Sequence, residues 1–316
     1  MNDVQEYQWP KITAIGVGGC GCNAVDNMMA VNLEGVSFLC IDTDKEALKN
    51  RCATQLHVGH GQDHSASPEA GKAAAAGSLD AIQTVIDGSD MVFIIAGMGG
   101  STGTGAAPVI ARAAREKDLL TVGIVTTPFL FEGKKRREAS SEGIEELLRV
   151  VDCIFVLSND RLLAQHNGAI KEQFKKADEK IYAVVRCLTA PFNRPGFICG
   201  DFMDLYYILK SKGIALMGEG RSKGGNRALE AAQRAMEDLF PADLSVSGFK
   251  TLFVNVTANS DLGIEEFHEA SQVIQDAAGN LNDDAPEIFM LMTLDENCRE
   301  EILITVIATG IEMANA

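Results

Sequence analysis

Two glycine-dense stretches and one spaced pair of acids are the parts of this 316-residue sequence best suited to chemistry. The first stretch, Gly16-Val-Gly18-Gly-Cys-Gly21, fits G-x-G-x-x-G, and Asp42 follows Gly21 by 21 residues. In dinucleotide enzymes an acid at that distance binds a ribose hydroxyl. Read alone, the pattern suits a nicotinamide-dependent oxidoreductase, and equally a tight turn with close helix packing. The second stretch, Gly97-Met-Gly-Gly-Ser-Thr-Gly-Thr-Gly105, is denser. Its glycines expose consecutive backbone N–H groups, which at the positive end of a helix make an anion site suited to a di- or triphosphate. Thr102 and Thr104 add hydroxyl donors. No G-x-x-x-x-G-K-[ST] occurs, so the site would rely on backbone dipoles and a Mg²⁺ ion in place of a P-loop lysine. Asp201 and Asp204 stand three apart at the start of an expected helix, which lets their carboxylates face the same way. The same spacing suits a helix N-cap that complements the dipole.

Positioning these loops requires strands that end at them. Apolar runs of strand length occur at Ile12–Val17, Val36–Ile41, Gln55–Val58, Met91–Ala96, Leu120–Thr126 and Cys153–Leu157. Helical patterns lie between them near 20–32, 69–87, 104–117 and 133–150; in the last, Ile144, Leu147, Leu148 and Val151 recur on one face. Strands alternating with helices imply a mostly parallel sheet covered on both faces, a nucleotide-binding type of domain. A long helix is expected from Ala169 to Leu188, stopping before Pro191 and Pro195. Beyond it the order changes to a helix near 202–211, a Gly-rich turn, and a helix with Ala228, Ala231, Ala232, Ala235 and Leu239 on one face. A strand at Thr251–Thr257, a helix near 264–277 and strands at 287–293 and 301–308 complete a smaller α/β domain with a mixed sheet. The long helix is expected to join the halves.

Composition narrows the classes. With 46% hydrophobic and 23% charged residues the chain can build a core. A net charge of −16 opposes nonspecific nucleic-acid binding, which draws on Lys and Arg against phosphates. The basic run Lys134-Lys135-Arg136-Arg137 is a local exception that also suits a solvated helix start. No apolar run is long enough to cross a bilayer. The polar, acidic N-terminus lacks a signal peptide's features, so a cytoplasmic protein without direct membrane insertion is expected. Eight cysteines show no CxxC or zinc spacing and read as reduced, structural thiols.

The second glycine stretch, continued through Ala-Ala-Pro108, resembles the signature loop of the tubulin/FtsZ family, with Ser101 where glycine is usual. The similarity runs from about Lys11 to Ile311 and includes Gly18-Gly-Cys-Gly-Cys-Asn-Ala-Val25, Phe129-Leu-Phe-Glu-Gly-Lys-Lys-Arg136, Arg194-Pro-Gly196, Gly200-Asp-Phe-Met-Asp204 and Val306-Ile-Ala-Thr-Gly-Ile311. It implies a Rossmann-type GTP-binding domain over 1–168, a connecting helix over 169–193 and a GTPase-activating domain over 194–316. It also implies a nucleotide site for GTP or GDP with Mg²⁺, built from Gly18, Gly19, Cys20, Asn23, Gly99, Gly100, Ser101, Thr102, Gly103, Thr104, Gly105, Glu132, Arg136, Phe174 and Asp178. Within it Glu132 would meet the ribose, Arg136 the phosphates, Phe174 the purine face, and Asn23 and Asp178 the base. A carboxylate accepts from both N1–H and N2–H₂ of guanine, which adenine does not offer, so Asp178 argues for GTP; without the family context it reads as a solvated helix residue. No protein-ligated metal is implied. Asp201 and Asp204 would be catalytic in trans, completing the site of the next copy in a head-to-tail homopolymer that acts in cell division. Other FtsZ-type filaments are further candidate partners.

The resemblance thins at four places. Gly61-Gln-Asp-His-Ser-Ala-Ser67 replaces a glycine-rich loop near the γ-phosphate, and Asp63 there would repel it unless a cation intervenes. Cys199 stands for asparagine, Asp42 stands in Asp42-Thr-Asp44 where asparagine is usual, and Cys20 and Cys22 replace glycines whose absence would crowd the phosphates. The sequence stops at Ala316, short of the linker and terminal peptide of the division proteins, so a trimmed chain and a tailless paralogue both fit. Three readings therefore stand: a polymerising GTPase, a non-catalytic GTP- or GDP-binding relative, and an NAD-dependent oxidoreductase. The second phosphate cradle weighs against the last, since a Rossmann enzyme has no use for it.

Overall fold

The computed structural model describes residues 9–59, 67–165, 170–193, 198, 200–210, 212–240, 246–281 and 286–313. The first half alternates strand and helix: β1 (Ile12–Val17), α1 (Gly18–Ala30), β2 (Val36–Asp42), α2 (Lys45–Leu48), β3 (Thr54–His57), α3 (Pro68–Ala76), α4 (Leu79–Val85), β4 (Met91–Gly97), α5 (Ser101–Glu116), β5 (Leu120–Thr127), α6 (Lys134–Leu148) and β6 (Cys153–Ser158). There follow α7 (Asn159–Gln165), the long α8 (Ile170–Asn193), α9 (Phe202–Leu209), β7 (Gly213–Lys223), α10 (Arg227–Leu239), β8 (Val246–Gly248), β9 (Thr251–Ala258), α11 (Ile264–Leu281), β10 (Glu287–Leu294), β11 (Glu301–Thr309) and β12 (Glu312–Met313).

Ten strands form one sheet in the order β10-β9-β11-β7-β6-β5-β4-β1-β2-β3. From β7 to β3 every pairing is parallel. The β11 strand is antiparallel to both β7 and β9, and β9 is parallel to β10, which is the mixed sheet expected of the second half. The period of two in β4 shows how the layers form. Met91, Phe93 and Ile95 face one core with α1, α8 and α9, while Val92, Ile94 and Ala96 face another with α5 and α6. A third core joins α10 and α11 to β9 and β11.

The structure departs from the sequence reading at several elements. The Gly-rich turn after α9 is the eleven-residue strand β7, whose start pairs with β6. Its glycines are steric rather than turn-forming: a Cβ on Gly218 or Gly220 would lie 2.1 or 1.9 Å from the carbonyl oxygens of Ala235 and Ala231. The alanine face of α10 therefore rests directly on the β7 backbone at Gly218 and Gly220. Because of the β6–β7 pairing, the sheet as well as the long helix connects the two halves. The single helix expected over 69–87 is divided into α3 and α4 at Gly77-Ser78. α8 continues through Pro191 to Asn193. α1 and α5 begin earlier than expected, at Gly18 and Ser101, so the glycine loops form their first turns. No helix among the described residues is long and apolar enough to cross a membrane. The cysteines described carry no disulfide, and Cys22, Cys40, Cys153 and Cys187 are buried.

Candidate functional site

β1, β4, β5 and β6 are parallel and so end at the same edge of the sheet. Between β4 and β1 the strand order reverses, the place where open α/β sheets leave a crevice for ligands. Both glycine loops open there. Gly18 adopts φ +71°, in the region that favours glycine, and a Cβ on it would come within 3.1 Å of the Gly103 nitrogen on the other loop. A Cβ on Gly103 would lie 2.3 Å from the Gly97 carbonyl oxygen. The loops thus approach each other backbone to backbone, and the N-termini of α1 and α5 converge on one cleft of about 340 Å³. That is the size of a small-molecule site.

Ten of the expected residues line the cleft: Gly18, Gly19, Cys20, Gly100, Ser101, Thr102, Gly103, Glu132, Arg136 and Phe174. Glu132 closes a short helical turn by accepting the Phe129 N–H at 2.9 Å, and its other oxygen pairs with Arg136. Buried Phe129 stacks on Phe131 at 4.9 Å and meets Phe174 edge-on at 5.3 Å, which positions the half-exposed Phe174 ring at the cleft wall.

Five expected residues lie elsewhere. Thr104 is buried and its hydroxyl oxygen accepts the Gly99 N–H at 2.7 Å, so it braces the loop and is not part of the cleft lining. Gly99, at φ +100°, passes beside α6, where a Cβ would lie 2.8 Å from the Arg136 carbonyl oxygen. Gly105 abuts α3, where a Cβ would lie 1.9 Å from the Pro68 carbonyl oxygen. Asn23 and Asp178 sit one turn beyond the cleft residues Cys20 and Phe174 on α1 and α8, each bonded to another side chain. Burial pushes the Asp178 carboxyl up to about 6.

Cys20 is a wall residue, its thiol 3.7 Å from the Thr126 hydroxyl. Cys22, expected to crowd a phosphate, is fully buried and directs its thiol to the Gly16 carbonyl at 3.4 Å. Asp42 is spoken for as well: it accepts from the Asp44 N–H at 3.1 Å and the Thr102 hydroxyl at 3.3 Å, which ties β2 to the second loop. The structure adds Thr126, Thr127 and Asn159 to the wall. Asn159 is buried, and its Oδ1 has no hydrogen-bond partner among the described residues. Its position just after β6, at the edge where both glycine loops open, was the signal that could have revealed it.

Asp201 and Asp204 are not among the residues that line this cleft. Asp201 caps α9, which starts beside Gly200, and a Cβ on Gly200 would lie 3.0 Å from Leu291 on β10. β10 is an edge strand of the sheet. Stretches 61–66 and 194–197 and Cys199 lie outside the described residues, so the expectations resting on Asp63, Arg194-Pro-Gly196 and Cys199 do too.

A cleft between two glycine loops at the switch point, with no lysine in its lining, followed by a long helix and a mixed-sheet domain, defines a tubulin-like nucleotide-binding protein. "Tubulin/FtsZ family, GTPase domain" matches residues 11–167, and "FtsZ family, C-terminal domain" matches residues 213–312. The cell division protein FtsZ of Pseudomonas aeruginosa is 40% identical over 311 residues, 96% of this chain and 78% of that protein. The FtsZ of Pseudomonas putida is likewise 40% identical, over 96% of this chain and 77% of that one. Among solved structures, an empty FtsZ dimer from M. jannaschii superposes with a TM-score of 0.87 at 33% identity, covering 97% of this chain and 89% of that one. The chain belongs to the FtsZ family and carries its GTPase domain. The oxidoreductase reading falls with that membership, and Asp42 is engaged by the second loop.

Proposed function

We propose that this protein binds GTP in the cleft, assembles head to tail, and hydrolyses GTP where two copies meet, as part of cell division in the cytoplasm. One observation carries the reading: two helices that begin at glycine loops aim their N-termini into one cleft, while the acids proposed to cut the nucleotide, Asp201 and Asp204, sit at the start of α9 outside that cleft's lining. A chain built this way binds nucleotide alone and acts on it only with a neighbour. Backbone N–H groups of the two loops, Thr102 and Arg136 would hold the phosphates. Asn159 Oδ1 supplies a buried acceptor for a donor of the ligand, and Asn23 and Asp178 would read the base. Among the described residues no three His, Cys, Asp or Glu side chains form a metal cage. A Mg²⁺ ion fits this site only if phosphate oxygens and water supply most of its ligands, its usual preference. When bound it would neutralise charge developing between the β- and γ-phosphates. The adjoining copy's Asp201 and Asp204 would orient the attacking water.

A second reading, binding without turnover, draws support from the way Asp201 and Asp204 bond to each other's backbone, which gives both acids a structural role. Sedimentation with GTP, with phosphate release measured in the same tubes over a range of protein concentrations, separates the two. The expected result is pelleting with GTP and a rate per subunit that rises with concentration. Pelleting without phosphate release would favour the non-catalytic reading, and a rate per subunit independent of concentration would overturn action in trans.

A further inference from the structure

The two side chains proposed to read the base are each held by a residue that the family motifs quoted above do not include. On α1, Asn23 and Asn27 stand one turn apart on the exposed side. Arg51, from the segment after α2, donates through Nη1 to Asn23 Oδ1 at 2.7 Å and to Asp26 Oδ2 at 2.7 Å, and through Nε to the Ala47 carbonyl at 2.9 Å. Its side chain is only 16% exposed, so three bonds in a sheltered position fix the guanidinium. Across the gap to α8, Asn27 Nδ2 donates to Asp178 Oδ2 at 2.7 Å.

Donor chemistry then leaves no choice of orientation. A guanidinium only donates, so the Asn23 atom that meets Arg51 is its oxygen, and the NH₂ is left to meet a ligand. An ionised carboxylate only accepts, so Asn27 must present its NH₂ to Asp178. Asp178 Oδ1 has no hydrogen-bond partner among the described residues. We propose that Arg51 and Asn27 are positioning residues that set the hydrogen-bond polarity of the base pocket, making Asn23 a donor wall and Asp178 an acceptor wall. The inference rests on the reading in which Asn23 and Asp178 meet the purine of GTP. Guanine carries the matching polarity, with donors at N1 and N2 for Asp178 and acceptors at O6, N7 and N3 for Asn23. Adenine places an NH₂ at C6 and a bare acceptor at N1, reversing that edge. A pocket whose polar groups cannot turn over rejects the reversed edge, because its own donors and acceptors would go unpaired.

The test measures affinities of GTP, ITP and ATP, by competition against labelled GDP, for the full chain and its variants. Arg51→Met frees the Asn23 amide to rotate. The expected result is GTP binding about 10-fold weaker, ATP binding unchanged or tighter, and partial recovery of the GTP/ATP ratio in Arg51→Lys, which again only donates. Asn27→Leu releases Asp178 and is expected to weaken GTP more than ITP, which lacks the 2-amino group. Asn23→Asp guards against misfolding: it gains an ion pair with Arg51, so its Tm should not fall, yet it turns the donor wall into an acceptor and should lose GTP about 10-fold. An equal loss of all three nucleotides in Arg51→Met, or an unchanged GTP/ATP ratio, would overturn the positioning role while leaving the base assignment standing. Equal binding of GTP and ATP by the unaltered chain would overturn the base assignment and this inference with it.

Discussion

Asp201 and Asp204 cap each other: Asp201 Oδ1 accepts the Asp204 N–H at 3.0 Å, and Asp204 Oδ2 accepts the Asp201 N–H at 2.9 Å. This reciprocal box begins α9 and holds both carboxylates in fixed directions at the surface. It also means that removing either acid disturbs a helix start as well as any chemistry.

The two roles separate by substitution. Asparagine keeps a capping oxygen but no charge, so Asp201→Asn and Asp204→Asn are expected to stay within about 0.5 kcal/mol of the parent in stability. Their phosphate release in GTP should fall about 100-fold or more, with GTP binding retained. Asp201→Ala should lose about 1 kcal/mol as well. Denaturant titration paired with turnover checks both; an Asp204→Asn chain with full turnover would remove that acid from the mechanism.

The contrast between Gly100 and Gly103 offers a second check. A Cβ on Gly100 meets no atom within 4 Å, whereas one on Gly103 would lie 2.3 Å from the Gly97 carbonyl oxygen. Gly100→Ala is expected to fold with an unchanged Tm and bind GTP more weakly, because the new methyl enters the cleft. Gly103→Ala should cost about 1–3 kcal/mol through overpacking and lower Tm directly. Equal loss of stability in both variants would mean that the second loop does not fold back on its own Gly97 as described.

Asp178 supplies a pH dependence. Its ionisation lies at about 6, raised first by burial and further by Glu179, against the bond from Asn27 that lowers it. Guanine's donors need the carboxylate, so GTP affinity is expected to fall as pH drops through about 6, and Asp178→Asn should bind weakly with no such step. The stability sign is opposite. Between about 4, the ordinary value, and about 6 the folded chain holds a proton that the unfolded chain has released. Stability without nucleotide therefore declines as pH rises through that window. Asp178→Asn should raise the nucleotide-free Tm at pH 8 while weakening GTP, measurable by thermal melts beside the binding curves.

Much of the site could be read from local sequence because its elements are local. A run such as Met91–Gly97, buried on both faces, marks its own strand, and the glycines that follow mark where backbone must approach backbone. β7 was hidden for the opposite reason. Its glycines at 218 and 220 lower strand propensity, and only the helix lying against them, with Ala231 and Ala235, explains why side chains are excluded there. Thr104 and Gly105 were misplaced because a helix turns each successive residue by about 100°. A loop that begins a helix earlier than expected therefore turns some of its residues, here Thr104 and Gly105, into the protein.

The sequence alone was enough to read two glycine loops without a P-loop lysine, the alternation of strands and helices, and a pair of acids at a helix start. These depend on residue type and short-range spacing, which the covalent chain carries in itself. Which residues share the cleft, that Cys22 faces away from it, that Asn159 joins its wall, and that Arg51 and Asn27 bond Asn23 and Asp178 were decided only by the fold. Each is a contact between segments distant in the chain, set by how helices and strands pack around a shared sheet.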